Sequence, residues 1–146
     1  MKYSSDSIAQ QLHRNAVALI SLIVAISTLS YTAWRNEETE DNWNQRTAAF
    51  EVLVKLNELQ QIIFHHHYDK DTTDKGNLRT GWAYVLTVRD LSSILNEPLP
   101  KDSEQLLKVW SENWEGLDDD KESLQRILTE LDDMREATMG LLRELR

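Results

Sequence analysis

The most regular feature of the hydrophobic pattern is an uncharged run near the N-terminus, between Arg14 and Arg35. Residues 16–34 are mostly Leu, Ile, Val and Ala, and at about 1.5 Å per helical residue they match the roughly 30 Å hydrocarbon core of a bilayer. Tyr31 and Trp34 close the run with amphipathic rings, which favour the headgroup region. The pattern predicts one transmembrane helix over residues 16–34, preceded by a short N-terminal tail.

Two other structures would also explain an apolar segment at this place. A cleaved signal peptide has a shorter apolar core and a cleavage site of small residues, whereas this run is long and ends in bulky Trp34 and charged Arg35. A buried helix of a soluble protein rarely stays uncharged over such a length when 28% of the chain is charged. A single membrane span is therefore the favoured interpretation.

The orientation of the span depends on a narrow balance of basic residues. Lys2 and Arg14 precede it, and Arg35 and Arg46 follow it. The free N-terminal amine tips the count toward an N-terminus that stays inside, because basic flanks remain on the cytoplasmic side. We expect a single-pass protein of the cell membrane whose main domain lies on the extracytoplasmic (periplasmic) side.

Beyond the membrane segment the first helix is expected to continue without a break. Residues 1–75 contain neither Pro nor Gly, so no helix-breaking residue separates the span from the following domain. Apolar positions then recur at alternating steps of three and four, which places them on one side of a helix. They are Ala49, Val52, Leu56, Leu59 and Ile63, with Phe50, Leu53 and Ile62 widening the face. A polar loop over residues 69–77 ends this helix.

A second helix is predicted from Leu78 to Asn96. Its apolar positions are Leu78, Trp82, Val85, Val88, Leu91 and Leu95. Pro98 and Pro100 are expected to end it, because proline lacks an amide donor and disfavours helical geometry in the residue before it.

A third, shorter helix is predicted from Asp102 to about Glu115. The Asp102 carboxylate can cap free amides, with Gln105 as the partner in a capping box. Gly116 is placed to end the helix. Its apolar face is Leu106, Leu107, Trp110 and Trp114.

The fourth helix has the cleanest periodicity of the chain. The acidic run at residues 118–120 suits a helix start. The seam that follows keeps steps of three and four, as in a coiled coil, with Thr138 as its one polar member: Leu124, Ile127, Leu131, Met134, Thr138, Leu141 and Leu145. Short connections between four helices favour antiparallel neighbours. The predicted fold is thus all-α: a tail and transmembrane helix in residues 1–35, continuing into an antiparallel four-helix bundle in residues 36–146.

Composition excludes several classes of function. The formal net charge of -9 and a pI of about 4.9 argue against nucleic acid, which requires a basic surface, and against adhesion to anionic lipid by charge. Membrane contact must come from apolar burial. The chain has no cysteine, so it has no disulfide framework and no thiolate nucleophile.

Two polar segments raise metal-binding hypotheses. His65, His66 and His67 are consecutive, and neighbouring helical residues point about 100° apart, so three rings cannot converge on one ion. Asp69, Asp71 and Asp74 resemble the start of a calcium loop, but the fifth, sixth and twelfth positions do not follow. We predict a partly exposed helix end and a solvated turn, with no catalytic, cofactor-binding or metal-binding residue and no cofactor.

Four tryptophans are many for so small a domain. Trp43, Trp82, Trp110 and Trp114 could line a ligand cleft between helices, although core or interface packing is the commoner use of large aromatic side chains. No glycine-rich phosphate loop, nucleophile motif or two-histidine zinc motif is present. An enzyme is not expected.

The pattern favours a membrane-tethered, non-catalytic interaction module, either an accessory subunit or a scaffold. Its expected partners are the lipid bilayer, through one transmembrane helix, and another membrane protein or a second copy of itself. The alternative is an extracytoplasmic sensory or ligand-binding bundle. Because the third helix is predicted to be short, apolar positions of its neighbours are expected to remain uncovered: Val52 and Leu56, or Leu141 and Leu145.

Overall fold

The computed structural model of the protein describes the backbone of residues 8–145 and the side chains of residues 15–145. Within that range it is all-α and has no strand, as predicted. Four α-helices follow one another, with a short 3-10 helix before the last: α1 Ile8–Asp69, α2 Leu78–Ser92, α3 Leu99–Asn113, the 3-10 helix Trp114–Asp118 and α4 Lys121–Glu144. Lys2 and the N-terminal amine, on which the predicted orientation depends, lie outside the described residues.

The chain divides into two compact units, Met1–Asp41 and Asn42–Arg146. The described part of the first unit is the N-terminal portion of α1, and α1 is the one helix in the described range that is long and apolar enough to cross a membrane. None of its apolar window is buried against the rest of the chain. The side chains of Val17, Ile20 and Ile23 each remain more than half exposed. This exposure differs from that of a core helix.

Three hydroxyl groups of this segment, those of Ser21, Thr28 and Thr32, are hydrogen-bonded within the helix. Ser21 Oγ donates to the Val17 carbonyl at 2.8 Å, and Thr28 Oγ1 donates to the Val24 carbonyl at 2.8 Å. Bonds to the preceding turn reduce the cost of placing these groups in an apolar medium. They leave the segment compatible with lipid despite its serines and threonines.

In the second unit, α1 and α2 are antiparallel neighbours. Gln45 Nε2 donates to the Ile94 carbonyl at 2.9 Å, beyond the end of α2. At the other end His66 Nδ1 lies 2.8 Å from the Gly76 carbonyl oxygen, just before α2 begins. The early part of this stretch of α1 therefore lies beside the end of α2, and its late part beside the start of α2.

The first and last helices are antiparallel as well. Arg46 Nε donates to the Leu145 carbonyl at 3.0 Å, and Arg135 Nη2 donates to Gln60 Oε1 at 2.6 Å. Later residues of α1 thus contact earlier residues of α4. The up-down-up-down bundle that the short connections predicted is thus the observed one.

The core is a single cluster with Trp110 as its largest fully buried side chain. The Trp82 ring meets two other indoles edge-on. Its centroid is 6.3 Å from that of Trp110 and 6.1 Å from that of Trp114. Gly81 lets α2 approach this cluster, because a Cβ there would lie 2.7 Å from the Trp110 ring. The predicted α4 seam is buried along its whole length, including Thr138 at 0% exposure.

Helix boundaries around the prolines differ from the prediction. α2 ends at Ser92 rather than Asn96, and α3 begins at Leu99, three residues before Asp102. Pro98 precedes α3 and Pro100 occupies its first turn. Proline suits the first helical positions, because the amide it lacks would have no partner there. The prolines therefore begin the next helix.

The predicted caps of α3 also differ. Asp102 lies inside the first turn of α3, where no side-chain cap is formed, so the capping box with Gln105 is absent. Gly116 lies within the 3-10 helix that follows Asn113 and does not end α3. At the start of α4 the prediction is confirmed: Asp120 accepts from the amides of Glu122 and Ser123.

The apolar surface expected from a short third helix is not there. Val52 and Leu56 are fully buried, and Leu141 and Leu145 are only 6% and 7% exposed. The prediction was wrong because α3 begins at Leu99 and is followed directly by the 3-10 helix Trp114–Asp118, and Leu99 and Leu117 at the two ends of this segment are both fully buried. Phe50, assigned to the core face of α1, is 58% exposed.

Candidate interaction surface

An exposed stripe runs along α1 on the side away from the core. We call it the α1 stripe, and all of its members are exposed: Trp43, Thr47, Phe50, Val54, Asn57, Gln61, Phe64 and Tyr68. Successive members are four and three residues apart, which is the spacing of a coiled-coil seam. From first to last the stripe is about 38 Å long at about 1.5 Å per residue.

Large apolar side chains dominate this stripe. The exposed fractions are 69% for Trp43, 58% for Phe50 and 65% for Tyr68, with Val54 at 48% and Phe64 at 39%. Scattered apolar residues are normal on a protein surface, but large apolar side chains gathered on one exposed face are typical of a binding site. No stripe member carries a formal charge, although the chain as a whole carries -9.

One flank of the stripe is electrostatically balanced within the chain. Lys55 Nζ lies 2.8 Å from Glu58 Oε2 and 3.7 Å from Glu51 Oε1. The hydrogen bond to Glu58 raises the pKa of Lys55 above its usual value. The same ammonium lies 5.2 Å from the centroid of the Tyr84 ring, which fixes it over α2. One lysine thus offsets the two carboxylates nearest the stripe on this side.

On the other flank of the α1 stripe, the Arg46 side chain is hydrogen-bonded to the end of α4. Arg46 directs Nε and Nη2 to the Leu145 carbonyl, one of the last carbonyls of the described chain. Helix-terminal carbonyls lack a partner within the helix, so a cation here satisfies one of them. Arg46 therefore joins α1 to the end of α4 beside the stripe.

The distal end of the stripe is ordered by aromatic contacts. The Phe64 and Tyr68 rings meet edge-on with centroids 5.8 Å apart, and the His67 ring meets Tyr68 at 4.8 Å. Edge-to-face pairs of this kind hold rings in defined positions. The two exposed aromatic rings therefore form a preordered surface rather than two independent side chains.

The three histidines contact three different partners instead of converging. His65 Nδ1 lies 2.6 Å from Asp69 Oδ2, and His67 Nδ1 lies 2.7 Å from the Leu117 carbonyl. His66, which continues the core face of α1, is 5% exposed, and His65 and His67 are half-buried, so the helix end is partly exposed. The structure, over its described range, has no group of three or more His, Cys, Asp or Glu side chains that could hold a metal ion. The contacts of the histidines instead connect the end of α1 to neighbouring parts of the chain.

His66 makes the most buried of these contacts. Beyond its bond to the Gly76 carbonyl, its Nε2 lies 3.0 Å from Asp118 Oδ1, close enough for an ionic contact but without hydrogen-bond alignment. Gly76 packs so closely that a Cβ there would lie 2.6 Å from the His66 amide nitrogen. Position 76 therefore admits glycine alone while this loop keeps its path.

The acidic loop after α1 is closed by its own hydrogen bonds. α1 ends where Lys70 adopts a left-handed conformation with φ of 54°, and the Asp71 amide donates to the His65 carbonyl at 3.2 Å. The Asp71 carboxylate accepts three backbone amides, those of Thr73, Asp74 and Lys75, each at 3.0 Å. These bonds, led by that from Asp74, lower the pKa of Asp71 to about 2. The Asp71 carboxylate therefore stabilises the loop.

An open cleft of about 460 Å³ lies between α1 and α2. Charged and polar side chains of both signs line it, including Glu58, His65, Asp74 and Lys75. None of Trp43, Trp82, Trp110 and Trp114 belongs to its lining. Trp82 packs against buried Trp110 and against Trp114, whereas Trp43 lies on the α1 stripe, so the four tryptophans do not share a cleft.

No family model, no curated protein and no solved structure gives a significant match to this chain.

Proposed function

We propose that this protein is a membrane-tethered, non-catalytic interaction module, an accessory subunit or scaffold whose bundle binds another protein or itself. The α1 stripe is the observation that carries the proposal. Five large apolar side chains share one exposed face of a helix whose opposite face fills the core. A binding partner would remove these side chains from water, which is favourable at about 25 cal/mol per Å² of apolar surface.

The tether is the apolar segment at residues 16–34. Its exposed leucine, isoleucine and valine side chains require an apolar surrounding, and the hydroxyls of Ser21, Thr28 and Thr32 are already bonded to the helix. A bilayer supplies such a surrounding. In this proposal the segment crosses the cell membrane once and restricts the bundle to one membrane surface.

The direct test is capture of partners from native membranes. Full-length tagged protein is crosslinked in membranes, solubilised and purified, and the captured polypeptides are identified by mass spectrometry. Val54→Lys places a charge on the stripe, and Ala83→Lys places the same charge on an exposed position of α2. A specific partner, which includes a second copy, is retained by Ala83→Lys and lost with Val54→Lys. Identical capture by both variants would overturn the proposal.

We further propose that the bundle faces the extracytoplasmic side, which the basic residues around the span favour. The chain lacks cysteine, so a single introduced thiol can be labelled specifically. Thr129→Cys, at an exposed position of α4, should react with a membrane-impermeant maleimide in intact cells. Labelling that requires permeabilised membranes would reverse the orientation.

A small-molecule-binding bundle is the second candidate, and the cleft between α1 and α2 favours it. The cleft is open and its lining mixes both signs of charge, whereas small-molecule sites are mostly concave and apolar. Native mass spectrometry of the detergent-purified chain distinguishes the two. A retained small molecule without any stripe-dependent partner would favour this second function.

A further inference from the structure

We propose that the partner of the α1 stripe is a second copy of this chain, paired in parallel and in register. The inference rests on the proposed membrane tether and specifies which protein the module binds. The stripe spacing repeats with a seven-residue period from Trp43 to Tyr68. Two helices with such a seam can interlock their side chains as knobs into holes, and identical seams are complementary to each other.

The charge of the chain favours an uncharged face for a contact between two copies. Each copy carries -9, so two copies repel each other, and a contact through an uncharged face adds no repulsion between touching charges. The stripe is uncharged over its full length. In a parallel pair Arg46 would also lie across from Glu51 of the second copy, because residues five apart on the two flanks of a seam face each other. This pair of opposite charges would add attraction beside the uncharged seam.

The membrane determines the direction of the pair. The apolar span precedes the bundle in the chain, so two copies inserted with the same orientation begin their bundles at the same membrane surface. A parallel pair satisfies both anchors, whereas an antiparallel pair would carry them to opposite ends. Shared tethering also raises the effective concentration of one stripe for the other.

The polar centre of the stripe determines the register. Asn57 and Gln61 interrupt the apolar members, and in an aligned pair each meets its own counterpart and can hydrogen-bond to it. A shift by one heptad would place Asn57 against Phe50 or Phe64 and leave its amide unpaired. Single polar residues in a seam select register in this way, at a cost in stability.

The size of the contact explains why the tether matters. Aromatic side chains bury about 150–250 Å² each, and the four aromatic members of each copy are already partly covered. The pair would bury on the order of 1,000 Å², near the lower limit for a specific interface. Such a contact is weak in dilute solution, so tethering to one membrane surface is part of the interaction.

Cysteine crosslinking in native membranes tests the pairing directly. Asn57→Cys and Thr47→Cys place one thiol on the seam of an otherwise cysteine-free chain. Ser111→Cys and Thr129→Cys place one at exposed positions of α3 and α4 as matched controls. Mild oxidation should convert most of the two seam variants, and little of the two controls, to a covalent dimer on a non-reducing gel.

A second substitution ties the crosslink to the stripe. Val54→Lys in the Asn57→Cys background should reduce the dimer at least tenfold, and Ala83→Lys should leave it unchanged. Circular dichroism of each variant in detergent confirms that the helices are retained. Absence of the dimer from both seam variants, or equal dimer from the controls, would overturn the inference.

The outcomes separate this inference from the proposed function. A seam thiol that crosslinks only to a different polypeptide, identified by mass spectrometry, would contradict pairing with a second copy and leave the interaction module standing. Release of the full chain from membranes by alkaline carbonate would remove the tether and contradict the proposed function itself.

Discussion

Gly81 and Gly140 are both helical glycines, but their surroundings are opposite. A Cβ at position 81 would lie 2.7 Å and 2.8 Å from two ring atoms of buried Trp110, whereas a Cβ at position 140 would have no neighbour within 4 Å. The first glycine permits close packing of α2. The second only weakens α4, because glycine loses more backbone freedom on folding than alanine.

Exchanging each glycine for alanine should therefore change stability in opposite directions. Gly140→Ala is expected to raise the free energy of unfolding by about 0.5–1 kcal/mol. Gly81→Ala is expected to lower it by about 1–3 kcal/mol through overpacking against the indole. Thermal unfolding of the full chain in detergent, followed by circular dichroism, measures both. Equal effects at the two positions would show that the Trp110 contact does not constrain α2.

At the scale of the elements, α3 and α4 bring carboxylates together across their contact. Burial, followed by repulsion from Asp133 and Asp102, raises the pKa of Glu130. Burial, followed by repulsion from Glu97 and Asp133, raises the pKa of Asp102. The folded state holds these protons more tightly than the unfolded state, so the ionised carboxylates destabilise the fold. This destabilisation is fully present above the folded pKa and declines as the pH falls through it.

Neutralising one of these acids should stabilise the bundle near neutral pH. Glu130→Gln is expected to raise the melting temperature at pH 7, and its advantage over the unmodified chain should shrink as the pH is lowered toward 4. Glu136→Gln, on an exposed position of the same helix, serves as the control for a change of net charge. A gain that is the same for both variants, or independent of pH, would contradict repulsion at this contact.

The helices show which elements a pattern determines and which it does not. The α4 seam was predicted residue for residue, because its aliphatic periodicity allows only one buried face. The start of α3 was not, because Asp102 and the two prolines, four and two residues before it, are competing start signals. Burial of Leu99 at 0% exposure accompanies the earlier start, and such a tertiary contact is invisible in local sequence.

The α1 stripe was missed for a related reason. The core face of α1 was correctly assigned from its aliphatic residues, but Phe50 was counted with them because aromatic side chains usually fill cores. The signal that could have found the stripe was present. Trp43, Phe50 and Phe64 are separated by multiples of seven residues, and Tyr68 follows Phe64 by four, on the side opposite Val52 and its neighbours.

At the scale of the whole molecule, the apolar segment should determine where the protein is found. The unmodified chain is expected to stay in the membrane pellet through alkaline carbonate and to dissolve only with detergent. Ile23→Arg places a charge near the middle of the span, where insertion costs about 2.5–3.5 kcal/mol more. The variant should shift toward the soluble fraction, and Thr129→Arg on α4 should not. Carbonate release of the unmodified chain would contradict a single span.

The close packing at Gly76 restricts which residues homologous proteins can carry at this position. A Cβ there would meet backbone atoms of Asp71 and His66 rather than any movable side chain, so exchanging a neighbouring side chain cannot make room for a larger residue. Homologues of this chain should therefore keep this glycine, ten residues after a histidine that bonds to its carbonyl, even where their surface residues differ. A histidine and a glycine at that interval, behind an uncharged apolar segment, form a search pattern by which distant homologues of this chain could be recognised.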